Sequence, residues 1–307
     1  MDKKYLARKW FSKGYYYDSL EPNSDKAIEA YKKSIEFDAT LKDAYINLGF
    51  IHIAKEDYNG ALKYFQKVIE LEPDNPEAFS NLGYVYERMV RYGSAKQMYE
   101  RALELCPGDM ESMINIAKIL ELEGNYQGAV NQYKRAIERY PDVVSPRFGL
   151  AVLYDIHDMF DEAVEGYTTV LERDAYCVKA LFNLGNLYIK IGENKKAVGL
   201  FKKILEIYPD NIISWNHLGS VYQALGEYDR AFIALRQSLF LNPFQEEIQA
   251  KLIQLLYSRY LSDSGGIGKE EIVQRLQFTL SMNPGNRECQ ELLKKLLVNN
   301  GKSDFGG

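Results

Sequence analysis

The chain has 307 residues, 46% of them hydrophobic and 26% charged, with a net charge of −5. That make-up suits a folded chain, and its interspersed acids and bases exclude nucleic acid as the expected partner, because phosphate binding needs a concentrated basic surface. No apolar run approaches the ~20 residues that cross a bilayer, so no membrane insertion is expected; Cys106, Cys177 and Cys289 are far apart and odd in number, and read as reduced thiols of a cytoplasmic protein.

The opening stretch, "MDKKYLARKWFSKGYYYDSL", is charged and lacks the apolar centre of a signal peptide. The first phrase that recurs is "AYINLGF" at 44–50, which returns as "AFSNLGY" at 78–84, "ALFNLGN" at 180–186 and "SWNHLGS" at 214–220. Gly49 and Gly83 are 34 residues apart, Gly185 follows after three times 34, and Gly219 after another 34. Ala117 and Ala151 fill the two slots between, and Gly14 precedes the series by 35. Twelve residues after each slot stands an alanine, from Ala61 to Ala231. A large side chain follows in the same phase: Tyr31, Phe65, Tyr99, Tyr133, Tyr167, Phe201 and Leu235. Most units close on a proline, as at Pro73, Pro107, Pro141, Pro209 and Pro243.

Each period predicts two helices. "PEAFSNLGYVYERMV" has helical apolar spacing and opens on Pro76 and Glu77, both favourable in a first turn. "RYGSAKQMYERALEL" repeats the spacing, and Pro107 stops it. A small residue on one helix and an alanine on the other let the two backbones approach. Fixed-period self-similarity of this kind marks a repeat architecture. Seven units are expected, at 7–41, 42–75, 76–109, 110–143, 144–177, 178–211 and 212–245.

The period then degrades. Residues 246–284 read as an eighth, irregular helix pair with an extended loop at 262–268, residues 285–300 as a capping helix, and 301–307 as a disordered tail. The loop contains "SDSGGIGKEE", which has the glycines and lysine of a phosphate-binding loop. It lacks the rest: Asp263 stands where the first glycine belongs, Glu270 follows Lys269 in place of Ser or Thr, and a helix precedes it rather than a strand.

The phased Tyr45, Leu48, Gly49, Ala61, Phe65 and Pro73, with their equivalents, resemble the tetratricopeptide repeat. The resemblance implies an all-α solenoid, a right-handed superhelix of antiparallel helix pairs, whose first helices line a concave groove. Asn47, Asn81, Asn115, Asn183 and His217 recur at one groove position, broken by Gly149. The row is similar to the asparagine ladder by which members of the family hold extended peptide backbones, since an amide offers both donor and acceptor; hydrogen bonding inside the stack is the other reading. Beside it runs an apolar series, Phe11, Tyr15, Ile46, Phe50, Tyr84, Ile114, Phe148, Val152 and Phe182, with Lys118 and Asn186 completing the expected contact set. The family's two-carboxylate clamp for chaperone C-termini is not expected, because its slots hold Ile46 and Phe50, Ser80 and Tyr84, Phe182 and Asn186.

No chemistry is legible. His52, His157 and His217 lie in different units, without a Cys or His partner at ligand spacing. The expectation is a non-enzymatic scaffold with no cofactor or metal, binding another protein or peptide segment. Self-association as a homo-oligomer, or recruitment of an enzyme carried on another chain, are the alternatives.

Overall fold

The computed structural model describes residues 2–22, 25–262 and 269–298. The expected extended loop, from residue 263, the last two residues of the expected capping helix and the expected disordered tail lie outside the described residues. Among the described residues the regular elements are seventeen helices, and no strand occurs. Two compact units divide between Leu153 and Tyr154. The first contains α1 (Lys3–Leu20), α2 (Asp25–Phe37), α3 (Lys42–Ala54), α4 (Tyr58–Leu71), α5 (Pro76–Arg88), α6 (Tyr92–Leu105), α7 (Met110–Leu122), α8 (Tyr126–Arg139) and most of α9 (Val144–Ile156). The second holds α10 (Phe160–Arg173), α11 (Val178–Lys190), α12 (Asn194–Ile207), α13 (Ile212–Ala224), α14 (Tyr228–Leu241), α15 (Glu246–Ser262), α16 (Lys269–Met282) and α17 (Arg287–Val298). Consecutive helices from α1 to α8 and from α10 to α17 pack on one another, as a stack of helix pairs requires.

The turn inside six of the pairs is set by backbone bonding. The N–H groups of Asp57, Arg91, Asn125, Met159, Glu193 and Glu227 donate to the carbonyls of His52, Tyr86, Leu120, Tyr154, Tyr188 and Tyr222. This is the six-to-one bond of a Schellman stop, which requires a left-handed residue just before the donor. That residue is Gly124, Gly192 or Gly226 in three pairs, and Glu56, Val90 or Asp158 in the others, at φ between 58° and 81°. Asp57 and Asn125 then cap the next helix by accepting from Gly60 N and Gly128 N.

Inside the pair, the small residue of the first helix sits on the large residue of the second. A Cβ on Gly83 would come within 2.7 Å of the Tyr99 ring, so only glycine admits that contact. Tyr31, Phe65, Tyr99, Tyr167, Phe201 and Leu235 are all completely buried. They anchor clusters such as Ala61, Phe65, Leu82 and Val85, against which Ile46, Ile53 and Tyr86 pack.

A second bond recurs where one pair meets the next. The side chains of Tyr45, Arg147, Trp215, Gln249 and Gln290 each donate to the carbonyl six residues earlier, at Ala39, Pro141, Pro209, Pro243 and Pro284. Arg147 is a charged residue in a slot that holds Tyr45 and Trp215 elsewhere, and it makes the same bond as Trp215. The series carries the repeat frame into α15 and α17, the last step being 41 residues where the others are multiples of 34. Thus α17 opens a further frame. In it the glycine slot holds Lys294, which is exposed.

Val90 is β-branched and left-handed, at φ 60°. Val90→Gly is expected to raise the unfolding free energy by about 1 kcal/mol, measured by urea denaturation, because the side chain disfavours that conformation.

Candidate functional site

Residues four and then three apart along a helix share one face. On α3 such a set is Asp43, Asn47 and Phe50, and on α5 it is Glu77, Asn81 and Tyr84. Among the expected contact residues of the first unit, the aromatic position stands open: Tyr15 is 66% exposed, Phe50 44% and Tyr84 40%. Lys118 holds the same position on α7 and is exposed too, while Val152 on α9 is half-buried. Phe11, Ile46, Ile114 and Phe148 are half-buried between neighbouring helices. Phe50 rests edge-on against Phe65, 5.5 Å between ring centres, and Phe11 leans on Tyr31 at the same separation. In the second unit Phe182, Asn183, Asn186 and His217 are all half-buried. His217 stacks flat on Phe201 at 4.8 Å, with Phe182 edge-on to both rings. Burial, with Lys251 nearby, holds the His217 imidazole below its ordinary pKa.

The asparagine row faces inward more than a free ladder would. Each member lies opposite the large second-helix residue sixteen positions earlier. Asn183 donates to the Tyr167 hydroxyl at 3.4 Å. Asn115 is buried, accepts from Lys118 and lies near the Tyr99 hydroxyl, whose pKa it acts to lower. Asn47 faces the Tyr31 hydroxyl, which has no bond of standard geometry. Asn81 faces Phe65, which has no hydroxyl, and its amide nitrogen is buried without a partner. At Gly149 the Tyr133 ring occupies the place a side chain would need, which is why the row breaks there.

Each buried tyrosine of the second helices also has an acid from its own pair. Tyr99 donates to Glu87 at 3.0 Å and Tyr167 to Asp155 at 3.4 Å, while Asp18 and Glu121 act on Tyr31 and Tyr133 through their charge. Where the second-helix residue is Phe65, Phe201 or Leu235, the acid position holds Ile53, Ile189 or Gln223. The acid therefore occurs with the hydroxyl and disappears with it, and Glu87 and Glu121 serve the interior. Sequence reasoning missed this, although comparing the repeats column by column contains it.

A different face was also missed. On the second helices one exposed position is Glu36, Glu70, Glu104, Glu138, Glu172 and Glu206 in turn, and then Phe240, which is 81% exposed. Ile233, one face-turn earlier on α14, and Phe244 beyond its end are also exposed.

Sequence models of the tetratricopeptide repeat family match residues 51–90, 74–142, 178–211 and 200–232. The chain is a tetratricopeptide repeat protein, with the all-α solenoid architecture of that family. A tetratricopeptide repeat protein from Parabacteroides merdae superposes with a TM-score of 0.59 at 18% identity, covering 81% of this chain and 98% of its own. PilF from Pseudomonas aeruginosa gives 0.57 at 19%, covering 68% and 95%. The Cut9–Hcn1 hetero-tetramer of the APC/C gives 0.51 at 17%, covering 95% and 54%. A search of curated proteins returned no match.

Burial raises the hydroxyl pKa of Tyr31 and Tyr133 from 10.0 to about 12, and those of Tyr99 and Tyr167 further. A raised pKa means that the folded state holds the proton more tightly, so this stabilisation is complete below pH 10.0 and is lost as pH climbs toward about 12. The urea midpoint is expected to fall across that window, and Tyr31→Phe to flatten the fall, as measured by denaturation at successive pH values.

Proposed function

We propose that the protein is a non-enzymatic scaffold that takes a segment of another protein against the first-helix face of its first unit. The observation that carries this reading is the open aromatic row of Tyr15, Phe50 and Tyr84. Each lies on a different first helix, and each leaves a large ring in water beside half-buried apolar neighbours. Exposed apolar rows of this kind are where partners bind, and aromatic anchors carry most of the energy of such contacts. Asn47 and Asn81, between the acids and the rings, supply amides that set the direction and register of a bound backbone. Phe11, Ile46, Ile114 and Phe148 form the floor. Asn115 is engaged internally and adds shape rather than a bond. In the second unit Phe182, Asn183, Asn186 and His217 make a smaller, more polar face, on which the Asn186 amide oxygen is buried without a partner.

A pull-down with the full chain as bait tests the reading. Phe50→Ala with Tyr84→Ala is expected to lose partners that the unaltered bait retains by about tenfold or more, with the melting temperature little changed because both rings are partly in solvent. Retention of every partner by the altered bait overturns it.

Self-association is a second reading, supported by the α14 face. Ile233 and Phe240 are seven residues apart, so two copies of α14 laid antiparallel bring each against the other. Phe240→Glu restores the residue of the six earlier repeats. Light scattering is expected to give a concentration-dependent mass for the natural chain and a constant one for this variant.

A further inference from the structure

We infer that the segment held by the first unit is basic and extended, with an Arg or Lys at about every third residue. The inference rests on the proposed groove and names what it selects.

The first helices α3 and α5 repeat one three-residue device: a carboxylate, an amide and an aromatic ring on one face, at Asp43, Asn47, Phe50 and at Glu77, Asn81, Tyr84. Elsewhere it is incomplete. On α1 the acid place holds Arg8 and the amide place Ser12, and on α7 the ring place holds Lys118. The acid place is Ser145 on α9, Lys179 on α11 and Ile213 on α13. Acid and ring thus occur together on two neighbouring helices, whose side chains Ile46, Leu82 and Val85 share a cluster.

The carboxylates are unoccupied by the protein's own cations. Asp43 and Glu77 are exposed and have no ion-paired or hydrogen-bonded partner among the described residues. Both act on the Lys42 ammonium, but that group is held by Glu72 at 2.7 Å. Asp18, Glu87 and Glu121 differ, since they face the buried tyrosines. A first-turn acid gains from the helix dipole, which accounts for an acid at this place on any helix. It does not account for the ring seven residues on, which sits open in water at some cost. A cationic side chain uses both groups: the carboxylate pairs with its charge, and the face of the Phe or Tyr ring attracts it. An acidic or uncharged segment leaves the carboxylates unpaired or repelled.

The spacing follows from packing. Neighbouring helix axes lie roughly 8–10 Å apart, and an extended chain advances about 3.3 Å per residue. One rung therefore corresponds to about three residues of ligand, and two rungs select two basic residues separated by two others.

A random dodecapeptide library displayed on phage, selected on the immobilised full chain, is the test. The enriched pool is expected to carry paired Arg or Lys three positions apart. A synthetic peptide from that pool is expected to bind about tenfold more weakly to Asp43→Asn/Glu77→Gln, and to lose most of its remaining salt dependence there. Circular dichroism melting checks that this variant folds. Enrichment of neutral or acidic peptides, or binding that ignores the two substitutions, overturns the inference; if such peptides are still lost on Phe50→Ala/Tyr84→Ala, the groove reading stands without it. Failure to enrich any peptide, or enrichment that survives loss of both rings, overturns the groove reading and this inference with it.

Discussion

Everything in this fold depends on how closely two helices of a pair approach. The contact is a glycine or alanine of the first helix pressed on a large side chain of the second, as at Gly83 and Tyr99. Close approach puts the ring in the interior of the pair and lines it up against the next first helix. From that one distance follow the burial of the large second-helix residues, the position of the asparagines opposite them, and the outward aim of the face that carries Phe50 and Tyr84. The contact is dispersion and desolvation, without direction. Direction comes from the Schellman stop in six of the turns and from the side-chain bond to the carbonyl six residues back.

The buried tyrosines add a second layer. A hydroxyl taken out of water gains from a partner, and those of Tyr99 and Tyr167 have an acid from their own first helix. At Tyr167 an amide from the next first helix joins it, so Asp155, Tyr167 and Asn183 link two successive pairs by bonds that have angles as well as distances. Polar residues that would make a poor helix interior by propensity are kept because the interface between pairs is where they act.

How much of this could be read from the chain depends on what repeats. The small residues, the large residues and the closing prolines recur in phase, so helix pairs and their order were legible from the spacing of Gly49, Gly83, Gly185 and Gly219. The frame could be followed past its irregular stretch only by a particular bond: Gln249 and Gln290 look unrelated in sequence, and only their shared donation to a proline carbonyl puts α17 in register. The site was legible in position but not in accessibility. Asn115 and Asn47 occupy the same column, each opposite a buried tyrosine, yet one is buried and the other half-open, because burial depends on local packing. Arg147 shows the same limit, since a long side chain can satisfy a carbonyl that an indole satisfies elsewhere, and polarity alone did not reveal it.

The absence of a hydroxyl at Phe65 has a mechanical consequence. Tyr99 is fixed in its interface by a directional bond to Glu87, whereas Phe65 meets its neighbours through ring contacts, with Phe50 edge-on to it. Such contacts have no preferred direction, so the proposed rungs on either side of Phe65 can shift relative to one another without breaking a hydrogen bond at that ring.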